Sequence, residues 1–268
     1  MPPARLLARH PVAVTTRANP RSEDTAEADA VAARWSVPFL ERPARGPISL
    51  LLSEAETLLV VERSAVSLRD AQGSARWSPG LAALRLHALD EGGQGEALVR
   101  VGGLSLGEQV LDCTLGLAQD ARVAARLVGP QGKLLGLEVS LPLAMLAAEG
   151  LRRERQEERS AALEVRHAEC HAFLDGLPPR SFDVVLFDPM FSRERKAQPS
   201  FSLLRRLASA ARLDTATLAA AQRVARRVVL VKAPRYGAEL KALGLTAEWA
   251  SRSAPVVWAR VCPAAEGP

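Results

Sequence analysis

Cysteine and lysine are both scarce in this 268-residue chain, and each scarcity narrows what the protein can be. Cys113, Cys170 and Cys262 are odd in number and show no Cys-x-x-Cys spacing. That argues against a disulfide framework or a zinc site and for a reducing compartment. His167 and His171 stand four apart but have no evident third ligand, so no metal is expected. No apolar run approaches the ~18–20 residues that cross a bilayer. The first ten residues hold Arg5, Arg9 and His10 without an apolar stretch long enough for a secretory signal. A cytoplasmic protein with no membrane partner is the expectation. Lysine supplies only Lys133, Lys196, Lys232 and Lys241 of the 35 basic residues, and arginine carries most of a net charge of +5. A basic surface offers phosphate-directed attraction to nucleic acid. An Arg/Ala/Leu-heavy composition explains the same charge, so the balance permits such a partner without establishing one.

With 48% hydrophobic and 24% charged residues, the chain has the size and composition of one large domain, or one domain with a small appendage. The first dozen residues, rich in proline and arginine, read as loose. Ser22-Glu23-Asp24 opens a helix running to Arg34, its acids placed where the helix dipole favours them. Ile48–Leu52, Thr57–Val61 and Ala65–Leu68 then read as short extended segments of an antiparallel unit. The expected organisation is an N-terminal α+β subdomain over residues 1–90 and a second domain over 91–268. Gly92-Gly93-Gln94-Gly95-Glu96 reads either as a ligand-approaching loop or as a simple linker. The second half alternates. Gln109–Cys113, Lys133–Val139, Leu163–His167, Phe182–Asp188 and Arg227–Lys232 read as strands. Leu117–Leu127, 141–159, Ser202–Arg212 and Asp214–Ala225 read as helices. Thr246–Ala250 and Val256–Val261 complete the set as extended segments. Such alternation predicts an α/β fold with a doubly wound, mostly parallel sheet and right-handed crossovers. The mixed-sign run Arg152–Arg159 reads as a solvated helix face.

The stretch most informative about chemistry is Asp183-Val184-Val185-Leu186-Phe187-Asp188-Pro189-Met190-Phe191. Its apolar centre reads as a strand covered on both faces, and Pro189 ends it at Asp188. A carboxylate, a proline carbonyl and the Phe191 ring then meet at the carboxyl end of a buried strand, where ligands bind in open α/β sheets. The carboxylate and carbonyl suit the two N–H groups of a planar amine, and the ring suits its base. Taken alone, Asp-Pro is more often a plain turn. Three other strand ends add to it. Asp112 and Gly116 sit in a small-residue turn before a helix that contains Gln119 and Asp120, although a three-glycine dinucleotide fingerprint is missing. Glu138 and Val139 end the next strand, where an acid accepts bonds from a ribose diol. Glu169 and Cys170 follow the third, with Glu169 placed for an exocyclic amine.

The ordered runs VLDCTLGLAQDA, LGLEVS, HAEC, DPMF and VLVKAP resemble the class I S-adenosylmethionine-dependent methyltransferases. The similarity is greatest to the small-subunit ribosomal RNA guanine methyltransferases that modify the exocyclic 2-amino group. Their corresponding pattern is close to VVDATAGLGRDA, LDPMFP and VVVKRP. Ala32–Trp35 and Gly93–Glu96 also resemble family positions. The resemblance implies a Rossmann-like fold and S-adenosylmethionine as cofactor. It implies cofactor contacts at Asp112, Gly116, Gln119, Asp120, Glu138, Val139, Glu169, Cys170 and Asp188. Asp188, Pro189 and Phe191 would be catalytic, and Met190, Arg193, Lys196 and Lys232 would contact substrate, with ribosomal RNA or the small subunit as partner. Ala118 stands where the family has its second glycine, Gln119 and Ala233 where it has arginines, and Ser192-Arg193 where it has Pro-His. Three alternatives follow from the residues: a methyltransferase for DNA adenine or a small amine, a non-catalytic RNA-binding protein with a degenerate pocket, and a nicotinamide dehydrogenase. The last is weakened by the missing glycines.

Overall fold

The computed structural model describes residues 9–43, 46–92, 96–154, 158–189, 202–208, 213–236, 238–248 and 255–264. The chain divides into two compact units. The first comprises residues up to Ser78 together with Leu141–Glu154 and Arg195–Leu207, and the second holds the remainder. Residues 79–90 belong to the second unit.

The first unit is built on a four-stranded sheet of β1 (His10–Thr16), β2 (Ala55–Glu62), β3 (Ala65–Arg69) and β4 (Ser74–Arg76), in that order. β1 runs parallel to β2, and the other pairs are antiparallel. Strand β1 begins inside the first dozen residues, which the sequence reads as loose: His10–Val12 belong to it and Val12 through Thr16 are all buried, while residues 1–8 lie outside the described residues. Ile48–Ser53 is a 3-10 turn, not an extended segment. It packs Ile48, Leu51 and Leu52 against Ala13, Leu58 and Val60. Helix α1 (Ser22–Trp35) is fixed at its start by Asp24, which accepts from the Arg21 backbone N–H at 2.9 Å and pairs with Arg17 at 3.0 Å.

The second unit contains a six-stranded sheet of order β10-β9-β8-β5-β6-β7. Its strands are β5 (Gln109–Asp112), β6 (Lys133–Glu138), β7 (Ala162–His167), β8 (Phe182–Phe187), β9 (Ala225–Pro234) and β10 (Val256–Val261). All neighbours pair in parallel except β10, which is antiparallel to β9. This is the α/β sheet the alternation predicts. Leu111, Leu137, Val185, Phe187, Val229 and Val231 are buried in its core with Leu174, Leu218 and Val224 from the covering helices. Each such side chain contributes roughly 1.5–3 kcal/mol on leaving water. The chain proceeds from β5 outward to β6 and β7 on one side, then returns to place β8 and β9 on the other. Strand order thus reverses between β5 and β8, which opens a crevice beyond their carboxyl ends.

Helices α2 (Gly80–Asp90), α3 (Gln119–Val128), α4 (Leu141–Arg153), α5 (Cys170–Asp175), α6 (Ser202–Leu207), α7 (Thr215–Val224) and α8 (Glu239–Ala242), with a π-helical turn at Leu98–Gly102, complete the described elements. The sequence reading did not anticipate α2 or α5. Helix α4 ends at Arg153, short of the expected residue 159, and Thr246–Glu248 are not in a strand.

Candidate active site at the strand tips

Backbone and side-chain hydrogen bonds draw the β5, β6, β7 and β8 tips together. The Cys113 N–H donates to the Leu186 carbonyl at 2.9 Å, and Leu115 N–H to the Leu137 carbonyl at 2.9 Å. The Gly116 N–H donates to Glu138 Oε2 at 3.0 Å, and Ala168 N–H to the Glu138 carbonyl at 3.1 Å. The Asp188 N–H donates to Thr114 Oγ1 at 2.6 Å. Gly116 and Ala118 both adopt left-handed backbone, with φ of 52° and 56°. The turn therefore keeps its shape at Ala118 although a side chain is present where glycine is the easier residue.

Asp112 is 2% exposed and accepts from the Thr114 N–H at 2.9 Å. Burial, reinforced by the charges of Asp120 and Asp188, raises its pKa to about 7. Glu138 accepts from Gly116 through Oε2 and from the Ser140 N–H through Oε1, and burial raises its pKa too. Each of its oxygens accepts one of these bonds, and a carboxylate oxygen has capacity for a second. Val139 is exposed, and its carbonyl lies 3.0 Å from His167 Nε2. Glu169 caps α5, accepting from the N–H groups of His171 and Ala172 at 2.8 and 2.7 Å. Cys170 opens that helix and packs against the cluster containing Cys113, whose thiol is pushed well above its ordinary pKa by burial. His171 contacts Thr217 and Asp175, so the two histidines serve different partners.

The second feature is a chain of alternating charges that spacing did not reveal. Arg85 of α2 binds both oxygens of Glu96 at 2.9 and 2.6 Å and Oδ1 of Asp120 at 2.5 Å. Oδ2 of Asp120 accepts from Lys232 at 2.8 Å, and the same ammonium donates to Asp188 Oδ2 at 2.7 Å. Burial alone would raise Asp120, but Lys232 and Arg85 overrule it and hold its pKa at about 2. Burial works against charge on Lys232 and Arg85 as well, and their carboxylate partners leave both pKa values raised. Asp188 responds in the other direction. Burial and the neighbouring Asp120 raise it to about 6 against the pull of Lys232, while its side chain keeps 38% of its surface.

The expected contact residues Asp112, Gly116, Glu138, Val139, Glu169, Cys170, Asp188 and Pro189 thus lie at one edge of the sheet. Gln119 is directed elsewhere: its Oε1 accepts from the Ala82 N–H at 2.8 Å, at the start of α2. Asp120 and Lys232 are joined to each other rather than presented to solvent. Met190, Phe191, Arg193 and Lys196 lie outside the described residues. Thr114 and Arg85 were missed by sequence reasoning, and Glu96 was named only within the glycine-rich stretch. Thr114 was legible only as part of the turn, and Arg85 meets Asp120 across 35 residues of chain.

A doubly wound sheet with acids at successive strand tips and a left-handed turn before α3 defines a nucleotide-cofactor enzyme of the class I methyltransferase type. The comparisons make this specific. The family described as "Putative SAM-dependent methyltransferase" matches residues 48–254, and the chain belongs to it. "Uncharacterized protein YpiP" from Bacillus subtilis is 32% identical over 83% of this chain and 90% of its own length. "Ribosomal RNA small subunit methyltransferase J" from Chromobacterium violaceum is 31% identical over 83% of this chain and 86% of its own. The protein of that name from Coxiella burnetii is 32% identical, but the match spans only 54% of this chain and 58% of the relative. A SAM-dependent methyltransferase from Neisseria gonorrhoeae has the same fold, with a TM-score of 0.61, 19% identity and coverage of 95% and 97% of the two chains. S-adenosylmethionine is the cofactor. Among the described residues no cluster of His, Cys, Asp and Glu suits a metal ion, and no helix is long and apolar enough to cross a membrane.

Proposed function

We propose that this methyltransferase modifies the exocyclic amine of a guanine in small-subunit ribosomal RNA. The observation that carries the reading is the clamp on Asp188: Thr114 Oγ1 holds its backbone, and Lys232 holds one carboxylate oxygen. The Lys232 ammonium leaves the other oxygen of Asp188 to accept an N–H. The names of the relatives from Chromobacterium violaceum and Coxiella burnetii support RNA as the acceptor, and the net charge of +5 suits a polyanion.

When bound, the cofactor supplies a methyl group already activated on a sulfonium. The chain's own residues hold and orient. With its remaining acceptor capacity Glu138 would hold the ribose diol, and Val139, Glu169 and Cys170 would hold the adenine. Asp112 and Gly116 shape the turn beneath. With their side chains committed to α2 and Lys232, Gln119 and Asp120 serve the cofactor through first-turn backbone N–H groups of α3.

A guanine amino nitrogen is a weak nucleophile because its lone pair is conjugated into the ring. Asp188 and the Pro189 carbonyl accept hydrogen bonds from its two N–H groups and aim the lone pair at the methyl carbon, and the Asp188 carboxylate takes the proton that the nitrogen gives up as its bond to carbon forms. Phe191 stacks on the base, and Met190, Arg193 and Lys196 contact the RNA; these four roles rest on the sequence alone. The base must leave its helix to enter. Alignment and preorganised acceptors supply the acceleration. Lys232, expected at the substrate, positions Asp188 through their ion pair. Mass spectrometry of ribosomal RNA nucleosides from cells with and without the gene tests the reading. Loss of N2-methylguanosine at one small-subunit position supports it, and an unchanged nucleoside profile contradicts it.

A further inference from the structure

Past Lys232, β9 ends at Pro234 and the chain turns through Arg235 and Tyr236. Tyr236 is the sole tyrosine of the chain, and 94% of its surface is exposed. A lone exposed aromatic ordinarily needs no explanation; three observations distinguish this one. Its backbone approach is held: Pro234 pairs with Val256 of β10, and the Arg235 N–H donates to the Pro255 carbonyl at 2.9 Å. The ring is accompanied by a cation, with the Arg235 guanidinium 5.9 Å from its centroid. And it lies two residues past the end of β9, the strand whose Lys232 bonds Asp188. Four residues of extended chain reach at most ~14 Å, which sets the separation of Lys232 and Tyr236 along the backbone. An exposed ring beside a guanidinium is the arrangement on which an unpaired base stacks, while the cation meets the adjoining phosphate.

We propose that Tyr236 and Arg235 form a stacking platform for an unpaired RNA nucleotide flanking the one delivered to Asp188. The inference rests on the reading of RNA as substrate and adds where the strand is gripped outside the crevice. Stacking depends on the aromatic face and not on base identity, so the platform selects single-stranded character rather than sequence.

The test is fluorescence anisotropy of a 5′-fluorescein-labelled, guanine-containing single-stranded RNA dodecamer titrated with the full chain. Tyr236→Ala is expected to weaken binding about tenfold or more, and Tyr236→Phe and Tyr236→Trp to stay within about twofold of the parent. S-adenosylmethionine affinity, measured by calorimetry on each variant, reports that the fold is intact. The proposal is overturned if Tyr236→Ala binds the RNA as tightly as the parent, if phenylalanine and tryptophan fail to rescue it, or if the parent binds no RNA. Methylation of small-subunit RNA by the parent is assayed on the same preparation. A parent that binds RNA in a Tyr236-dependent way without methylating it leaves the platform standing and sinks the functional reading. A parent that methylates RNA with no dependence on Tyr236 does the reverse.

Discussion

Lys232 and Asp188 meet at the carboxyl ends of adjacent parallel strands, Nζ to Oδ2 at 2.7 Å, across 44 residues of chain. The same ammonium is anchored behind by Asp120, which Arg85 holds in turn. The Asp188 carboxylate is therefore fixed by a relay of charges that begins on α2.

Removing the ammonium should make Asp188 harder to ionise. The carboxylate accepts an N–H more strongly than the neutral acid does, and only the carboxylate can take the proton the amine gives up, so methyl transfer should fall as pH drops through about 6. Lys232→Ala takes away the main influence lowering that pKa and leaves Asp120 paired with Arg85. The acid limb of the pH–rate profile should move up by about one unit or more. Rates measured from acid to mildly alkaline pH check this; a limb that stays in place would separate Asp188 from the pH dependence.

Asp112 offers a stability test of opposite chemistry. Folding raises its pKa from an ordinary 3.8 to about 7, so the folded chain holds this proton more tightly than the unfolded chain does. The group's contribution is therefore most favourable at low pH and declines as pH rises from ~4 to ~7. Asp112→Asn has no charge to bury. Its unfolding free energy should exceed the parent's by on the order of 1–3 kcal/mol near pH 8, with the difference closing near pH 4. Denaturant titrations at both pH values give the comparison, and a pH-independent difference would contradict it.

Gly116 tests the turn. A Cβ there would meet only the Thr114 carbonyl oxygen, at 4.0 Å, so the obstacle to substitution is its φ of 52° rather than space. Gly116→Ala should cost about 1–2 kcal/mol of stability and weaken S-adenosylmethionine binding, because the Gly116 N–H also orients Glu138. Thermal melts and calorimetry read the two effects separately. Unchanged cofactor affinity would detach the turn from cofactor binding.

In the first unit, Glu149 is 1% exposed and accepts from Arg34 at 2.6 Å and from the Trp35 indole at 3.1 Å, with Arg153 at 3.3 Å. Glu149→Ala strands these donors and should destabilise the protein by about 3–5 kcal/mol. Glu149→Gln, which still accepts from the indole, should cost less. Unfolding followed by tryptophan fluorescence distinguishes the variants, and a near-neutral alanine would show that the cluster contributes little.

The parallel sheet was legible because its strands read as apolar runs ended by acids, and Asp112, Glu138, Glu169 and Asp188 fall in consecutive positions of that pattern. Strand β1 was hidden behind the proline- and arginine-rich start, although His10–Thr16 carries five buried residues in succession. Helix α2 escaped because it buries Ala82 and Leu86 while leaving Leu81 and Leu84 in solvent, which erases the periodicity that marks an amphipathic helix. Helix α5 is six residues long and buries only Leu174. The charge relay was illegible for a different reason. Arg85, Asp120 and Lys232 are brought together only by tertiary folding, so no spacing within one element announces them. For the same reason no local spacing announced that the Gln119 side chain holds the start of α2.

The central claim is that Asp188 orients an amine of RNA toward the methyl group. The most direct test is transfer of radiolabelled methyl from S-adenosylmethionine to small-subunit ribosomal RNA by the parent and by Asp188→Ala, each first shown to be folded. The account predicts incorporation at a guanine by the parent and a loss of about a hundredfold or more in the variant. A variant that methylates at close to the parent's rate would contradict it.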